Sequence, residues 1–255
     1  MNFKGKVAIS TGAASGMGLL FAENFAALGG NVVMCDVNEA VLSQQVAAIN
    51  NKGEGRAVGI ACDVRDYTDV CAARDKAVLE FGRIDVVANF AGGTATRMCK
   101  VDKEKHPEFP DVPIEVFDWG IDINLKGPFY FAHAALSVMR EQKSGLIINI
   151  GSITGAEGSA YGMDYSTSKA GLMYGLTKSV AQFGAKYGIR CVCVSPGPVL
   201  TRESMASMKT PLGRAAEPQE IIDLILFIAS DKGQFINGEN IMIDGGRNAM
   251  GRYSK

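Results

Sequence analysis

The stretch Val7-Ala8-Ile9-Ser10-Thr11-Gly12-Ala13-Ala14-Ser15-Gly16-Met17-Gly18 decides how this chain is read. Val7–Ser10 is an apolar run of strand length. Beyond the glycines, Met17–Leu28 places Leu20, Phe21, Asn24, Phe25 and Leu28 at mixed i+3 and i+4 spacing, which reads as a helix. A strand that turns through glycines into a helix lets the backbone approach a ligand closely. The helix N-terminus then offers free N–H groups and a positive dipole end, as a pyrophosphate requires. A tight turn alone also needs glycine. A mononucleotide phosphate loop is disfavoured, because no Lys-Ser/Thr pair follows Gly18.

The same alternation continues outward. Candidate strands are Val7–Ser10, Asn31–Cys35, Ala57–Ala61, Ile84–Asn89, Leu146–Ile150, Arg190–Val194 and Asn240–Ile243. Most are apolar on both faces, as buried parallel strands are. Helical patterns fall between them, at Glu39–Asn50, Tyr67–Phe81, Phe129–Arg140, Tyr165–Tyr187 and Pro218–Ser230. Repeated strand–helix–strand units imply an α/β fold, a doubly wound parallel sheet with helices on both faces. With no linker, low-complexity tract or repeat, residues 1–255 read as a single domain. Gly93–Pro113 breaks the rhythm with mixed charges and Pro107, Pro110 and Pro113, and reads as a long surface loop.

Composition narrows the function classes. The 255 residues carry 26 basic and 27 acidic side chains, a net charge of −1. A generic nucleic-acid surface needs a basic excess, so none is expected. No apolar run reaches the ~18 residues of a membrane span. The start, Met1-Asn2-Phe3-Lys4-Gly5-Lys6, does not read as a signal peptide. Cys35, Cys62, Cys71, Cys99, Cys191 and Cys193 form no Cys-x-x-Cys and read as free thiols of a reducing cytoplasm. His106 and His133 are the only histidines, too few for a His-rich metal site, and no metal is expected.

Asp36 ends the second strand, 18 residues past Gly18. A carboxylate there accepts both hydroxyls of an adenosine ribose and repels a 2′-phosphate. Neither Ser15 nor Val37 is basic, so NAD(H) is expected over NADP(H). Capping of the helix beginning near Asn38 is the plainer role for Asp36. Asp63-Val64 and Asn89-Phe90-Ala91-Gly92 follow the third and fourth strands, at the edge where such sheets bind ligands. Asp63 is placed to meet an adenine amino group. Turn formation explains each of these segments as well.

Tyr165-Ser166-Thr167-Ser168-Lys169 opens a long helical pattern and sets Tyr165 and Lys169 on one face, at i and i+4. An ammonium within ~4–6 Å of a phenol favours the phenolate. That suits tyrosine to acid–base work on an alcohol or ketone. Ser152, 13 residues upstream at the end of a strand, can hold and polarise a substrate oxygen.

Across essentially its whole length the chain resembles the short-chain dehydrogenase/reductase family. The match runs through Thr11-Gly12 to Gly18, Asp36, Asp63-Val64, Asn89 to Gly92, Asn124, Ser152, Tyr165 to Lys169, Pro196-Gly197, Thr201 and Ile243-Asp244-Gly245-Gly246. The resemblance implies a seven-stranded Rossmann-type sheet. Tyr165 then exchanges a proton with the substrate hydroxyl, Lys169 binds the nicotinamide ribose, and Ser152 orients the substrate oxygen. Asn124 holds a water that links Lys169 to solvent. Gly12, Ser15, Gly16, Met17 and Gly18 frame the pyrophosphate, Ala91 and Gly92 line the cofactor, and Asn89 steadies the central strand. Beyond Pro196-Gly197, the backbone of Val199 and the hydroxyl of Thr201 hold the carboxamide.

Two departures stand out. Phe90 replaces the family's usual second asparagine, a change expected to alter packing and not chemistry. The interval from Asn89 to Asn124 is several residues longer than usual, and the excess falls in Gly93–Pro113.

Leu200–Ala216 resembles the family's substrate loop. Its Met205, Met208 and Leu212, with Met163, Met98 and Cys99, suggest an adaptable apolar cavity, though plain packing also uses such residues. The expected reaction interconverts a secondary alcohol and a ketone, a bulky apolar one such as a hydroxysteroid. A 3-oxoacyl-thioester reductase, a polyol or sugar dehydrogenase, and a non-catalytic NAD-binding regulator are the alternatives. Ser166-x-x-Lys169 hints at a penicillin-binding hydrolase, whose companion motifs are missing. Family members form tetramers through regions like Ile221–Ser230 and Asn237–Lys255, so a homotetramer or homodimer is expected. The polar tail Arg247–Lys255 reads as reaching a neighbour or fraying.

Overall fold

The computed structural model of the chain describes residues 1–94, 108–201, 205, 207–208 and 210–249. Among these, seven strands form: β1 (Val7–Thr11), β2 (Asn31–Asp36), β3 (Ala57–Ala61), β4 (Val86–Asn89), β5 (Gly145–Ile150), β6 (Ile189–Pro196) and β7 (Asn240–Ile243). They make one parallel sheet in the order β3-β2-β1-β4-β5-β6-β7. The Rossmann-type doubly wound sheet read from the sequence is therefore the observed fold. The chain runs outward from β1 to β3 and then returns to the other side of β1 as β4. This reversal opens a crevice at the C-terminal ends of β1 and β4.

Alternation along each strand divides the core between two layers. Ala8, Val32, Val86 and Ile148 face one side, with Phe21 and Phe25 of α1 (Gly16–Ala27), Leu42 of α2 (Glu39–Asn50) and Ile221 and Ile225 of α9 (Pro218–Ala229). Ile9, Val33, Val87 and Ile147 face the other side, with Ala73 of α3 (Tyr67–Phe81), Phe131 and Met139 of α5 (Gly127–Gln142) and Val180 of α8 (Thr177–Ala185). Both faces of the central strands are dry, which is why their sequences are apolar without alternating with polar residues. Each buried Val, Leu, Ile, Phe or Met among them contributes roughly 1.5–3 kcal/mol relative to exposure.

Two helices differ from expectation, both near the crevice. The pattern at Phe129–Arg140 is the end of a longer run: α4 (Ile114–Ile121), a π-helical turn (Asp122–Lys126), then α5. Gly127-Pro128 reads as a breaker in sequence. Pro128 has no N–H to return to the carbonyl four residues back, that of Asn124, and the helix widens there instead of ending. The pattern at Tyr165–Tyr187 divides into α7 (Met163–Ala170), a second π turn (Gly171–Leu176) and α8. The two widened turns meet at Gly171, where an added Cβ would lie 3.2 Å from Leu125 Cδ2.

Of the loop at 93–113, the described part includes a short 3₁₀ turn, Phe109–Asp111. The roles expected of Met98 and Cys99 lie outside the described residues. Cys35, Cys62, Cys191 and Cys193 are buried free thiols. Burial raises Cys191 and pushes Cys193 up to about 11.

Candidate active site

At the crevice, a cleft of about 490 Å³ is lined by Gly12, Ser15, Gly16, Met17 and Gly18 from the first turn, and by Asp36, Asp63 and Val64. Phe90, Ala91, Gly92 and Thr201 line it as well. Gly12 and Gly18 are there because nothing larger fits. Gly12 has φ +64, and a Cβ on it would sit 3.1 Å from the Ala91 backbone. A Cβ on Gly18 would lie 2.5 Å from the Gly12 carbonyl, so α1 packs directly against the end of β1.

Asp36 accepts from Ala14 N at 3.0 Å and from Asn38 N at 2.9 Å, bracing the glycine turn from the tip of β2. The cap of α2 is Asn38 itself, whose side chain accepts from Val41 N. Asp63 is held by Arg65 through both carboxylate oxygens, at 2.6–3.1 Å. The guanidinium keeps its carboxyl below the usual carboxylate range. An adenine amine would share those oxygens with Arg65, a partner not foreseen from sequence. Phe90 packs its ring on Phe21, with centroids 5.5 Å apart, so the departure at this position is a packing change.

The cleft fits a dinucleotide. The first turn of α1 has no acidic side chain, and Ser15 makes no side-chain cap, so its N–H groups face the cleft without an anionic partner. Asn89 donates to Asn149 Oδ1 at 2.9 Å and ties β4 to β5. Its own Oδ1 is buried without a partner among the described residues. The Val199 carbonyl already accepts from Thr201 N at 2.7 Å and from its hydroxyl at 3.4 Å.

Asn124, Ser152, Tyr165 and Lys169 converge where this cleft ends. Asn124 sits in the widened turn, fully buried. Its Oδ1 accepts from Gly93 N at 3.0 Å, and its Nδ2 donates to Gly93 O at 2.8 Å and Gly120 O at 3.0 Å. Gly120 O is also within 3.1 Å of the Ser168 hydroxyl, so one carbonyl joins Asn124 to the helix of Tyr165. The buried Lys169 ammonium donates to Ile150 O at 2.6 Å and lies 5.4 Å from the centroid of the Tyr165 ring. Gly92 marks where these groups meet: a Cβ there would be 2.6 Å from Asn124 Oδ1 and 3.6 Å from Lys169 Nζ. Ser152 Oγ accepts from Thr154 N at 3.2 Å and keeps its own proton to donate.

A second cavity, about 390 Å³, is lined by Ser152 and Tyr165 and by Pro196, Gly197 and Val199. Met17 and Thr201 line it and the first cleft alike, so the two adjoin there. Met205 and Met208 line it as expected, whereas Leu212 is exposed to solvent. Sequence reasoning missed Arg247. Read as the start of a polar tail, it lines this cavity and is paired with Glu157. Only the Asp244-Gly245-Gly246 turn before it signalled a fixed position.

Residues 12–248 match the family model described as enoyl-(acyl carrier protein) reductase. The chain is 41% identical to a trans-4-hydroxycyclohexanecarboxylate dehydrogenase from Sinomonas cyclohexanicum, over 96% of this chain and 93% of that protein. It is 32% identical to a 7alpha-hydroxysteroid dehydrogenase from Bacteroides fragilis, over 96% and 95%. The crystal structure of a 3-oxoacyl-[acyl-carrier protein] reductase with bound NAD from Brucella melitensis superposes with a TM-score of 0.87 at 30% identity, covering 96% of this chain and 92% of that one. With its sheet, glycine turn and Ser152–Tyr165–Lys169 grouping alongside these matches, the chain belongs to the short-chain dehydrogenase/reductase family.

Proposed function

We propose that the protein is an NAD(H)-dependent oxidoreductase that interconverts a secondary alcohol and a ketone, with an alicyclic carbinol as its substrate. The convergence of Ser152, Tyr165 and Lys169 where the dinucleotide cleft meets the second cavity carries this reading. In the proposed cofactor site, Gly12, Ser15, Gly16, Met17 and Gly18 hold the pyrophosphate. Asp36 takes the adenosine ribose, and Asp63, Val64, Asn89, Ala91 and Gly92 line the adenine and central portions. Pro196, Gly197, Val199 and Thr201 border the carboxamide. When bound, the nicotinamide supplies the hydride acceptor or, in reverse, the donor.

The chain's own residues move the proton. Ser152 donates a hydrogen bond to the substrate oxygen and orients the carbinol. Tyr165 takes the hydroxyl proton of the carbinol in oxidation and returns it to the ketone oxygen in reduction. Negative charge that develops on the phenolic oxygen faces the Lys169 ammonium. Lys169 has three N–H donors, one of them on Ile150 O, which leaves donors for ribose hydroxyls. Asn124 holds the Gly93 backbone and through it the edge of the pocket.

The hydroxycyclohexanecarboxylate and hydroxysteroid relatives support a ring alcohol, and the hydroxysteroid remains the second reading. A 3-oxoacyl reductase is not separated from these by cofactor, since the solved reductase holds NAD. Assembly as a homotetramer belongs to the same proposal, supported by the exposed rings of Phe129, Tyr174 and Phe183 on one group of helices. So does a cytoplasmic location, supported by the unpaired thiols.

The decisive experiment is a screen of ring alcohols and ketones, polyols and 3-oxoacyl thioesters, followed by NADH absorbance, with Tyr165→Phe as control. The variant should lose turnover and keep NADH binding. Turnover surviving in Tyr165→Phe refutes the assigned proton acceptor, and polyols turned over far better than ring alcohols refute the substrate class.

A further inference from the structure

The cavity beside Ser152 and Tyr165 is walled by methionine, isoleucine, valine, proline, glycine and hydroxyl-bearing residues, and Arg247 is the one charged side chain lining it among the described residues. We infer that Arg247 is a specificity-determining residue that reads a carboxylate on the substrate. The substrate class is then a hydroxy acid and its keto acid, with the carbinol at Tyr165 and the acid group on the guanidinium. This rests on the dehydrogenase reading above.

The position of Arg247 is built, not incidental. It follows β7 on a turn in which Asp244 accepts from Gly246 N at 2.9 Å and Asn248 N at 2.7 Å. A Cβ on Gly245 would lie 2.6 Å from Thr210 Oγ1, so the turn is packed from outside as well. Arg247 Nε and Nη2 donate to Glu157 Oε1 and Oε2 at 3.0 and 2.9 Å. Glu157 ends α6 (Thr154–Glu157), which begins two residues beyond Ser152. The pair thus ties Arg247 to the segment that carries Ser152.

The fork occupies one edge of the guanidinium. Both N–H groups of Nη1 and one of Nη2 lie outside it. Glu157 does not line the cavity, whereas Arg247 does, so the cationic partner of the pair is the one presented to a ligand. The Arg247 side chain is about one-third exposed and already oriented, so an arriving carboxylate gains a charge-assisted hydrogen bond without further ordering cost. Anchoring the substrate at a point apart from Tyr165 also fixes which face of the carbinol is presented.

The test compares trans- and cis-4-hydroxycyclohexanecarboxylate with their carboxamides as substrates. The acids should exceed the amides in kcat/KM by about tenfold or more, mainly through KM, the size of one charge-assisted hydrogen bond. R247M/E157Q removes both charges together, so no carboxylate is left uncompensated, and it should bring the acid-to-amide ratio close to one. Arg247→Lys keeps the charge but not the fork and should give an intermediate ratio. Cyclohexanecarboxylate, which has no hydroxyl to oxidise, should bind the NADH complex at least about tenfold more weakly in R247M/E157Q by calorimetry. Circular dichroism checks that each variant is folded.

Equal use of acid and amide by the wild type overturns the assignment, as does an unchanged ratio in R247M/E157Q. If no alcohol is oxidised at all, the dehydrogenase reading fails, and the cyclohexanecarboxylate titration still decides the role of Arg247.

Discussion

Gly92→Ala tests whether the site is as tightly built as its geometry implies. The new Cβ would stand 2.6 Å from Asn124 Oδ1, and no positive φ adds backbone strain at this position. Asn124 cannot step aside cheaply, because it is fully buried and makes three hydrogen bonds to Gly93 and Gly120. Overpacking costs about 1–3 kcal/mol. Losing one of the three bonds with its partner left buried adds about 1–3 kcal/mol. A total of about 2–6 kcal/mol in a chain of this size lowers Tm by on the order of 5–20 °C. Displacing the Gly93 edge should also lower kcat, since misplacement by about 1 Å can cost about a hundredfold.

Differential scanning fluorimetry and steady-state kinetics read both effects. Gly16→Ala is the companion variant: it has φ +58 but open space around its Cβ, so strain of about 1–2 kcal/mol is its only cost. If Gly92→Ala melts within about 2 °C of wild type, less than about 1 kcal/mol has been lost, and the packing argument fails.

Two further outcomes follow from single carboxylates. Asp36→Ser should weaken NADH by about tenfold to a hundredfold, the worth of a charge-assisted hydrogen bond, and narrow the gap to NADPH; a wild type that already uses NADPH as efficiently as NADH rules this out. Glu220 is paired with Arg214 at 2.6–2.7 Å and held at about 2 against an ordinary 4.5. A depressed folded-state value stabilises above the unfolded one and is lost as pH falls through the folded one. The stability advantage of wild type over Glu220→Gln should therefore shrink between pH 4.5 and about 2, and a gap that stays constant across that window contradicts the pairing.

The fold was legible because its signals are local. Val7–Thr11, the glycines and the helix of Phe21 and Phe25 are neighbours in sequence, and a parallel strand buried on both faces announces itself by composition. Tyr165 and Lys169 were legible for the same reason, since one helical turn sets their spacing. The widened turns at Asn124 and Gly171 were not legible, because whether Pro128 ends a helix or widens it depends on what packs against it.

What the sequence determined by itself was the doubly wound sheet, the glycine turn, Asp36 at the tip of β2 and the tyrosine–lysine pair. The Gly120 carbonyl joining Asn124 to α7, and Arg247 on Glu157, were decided by tertiary structure alone. Glu157 and Arg247 are 90 residues apart, and no propensity or period couples positions at that separation. They meet because the ends of β5, β6 and β7 lie side by side in the sheet, and only closing the sheet brings one charge to the other.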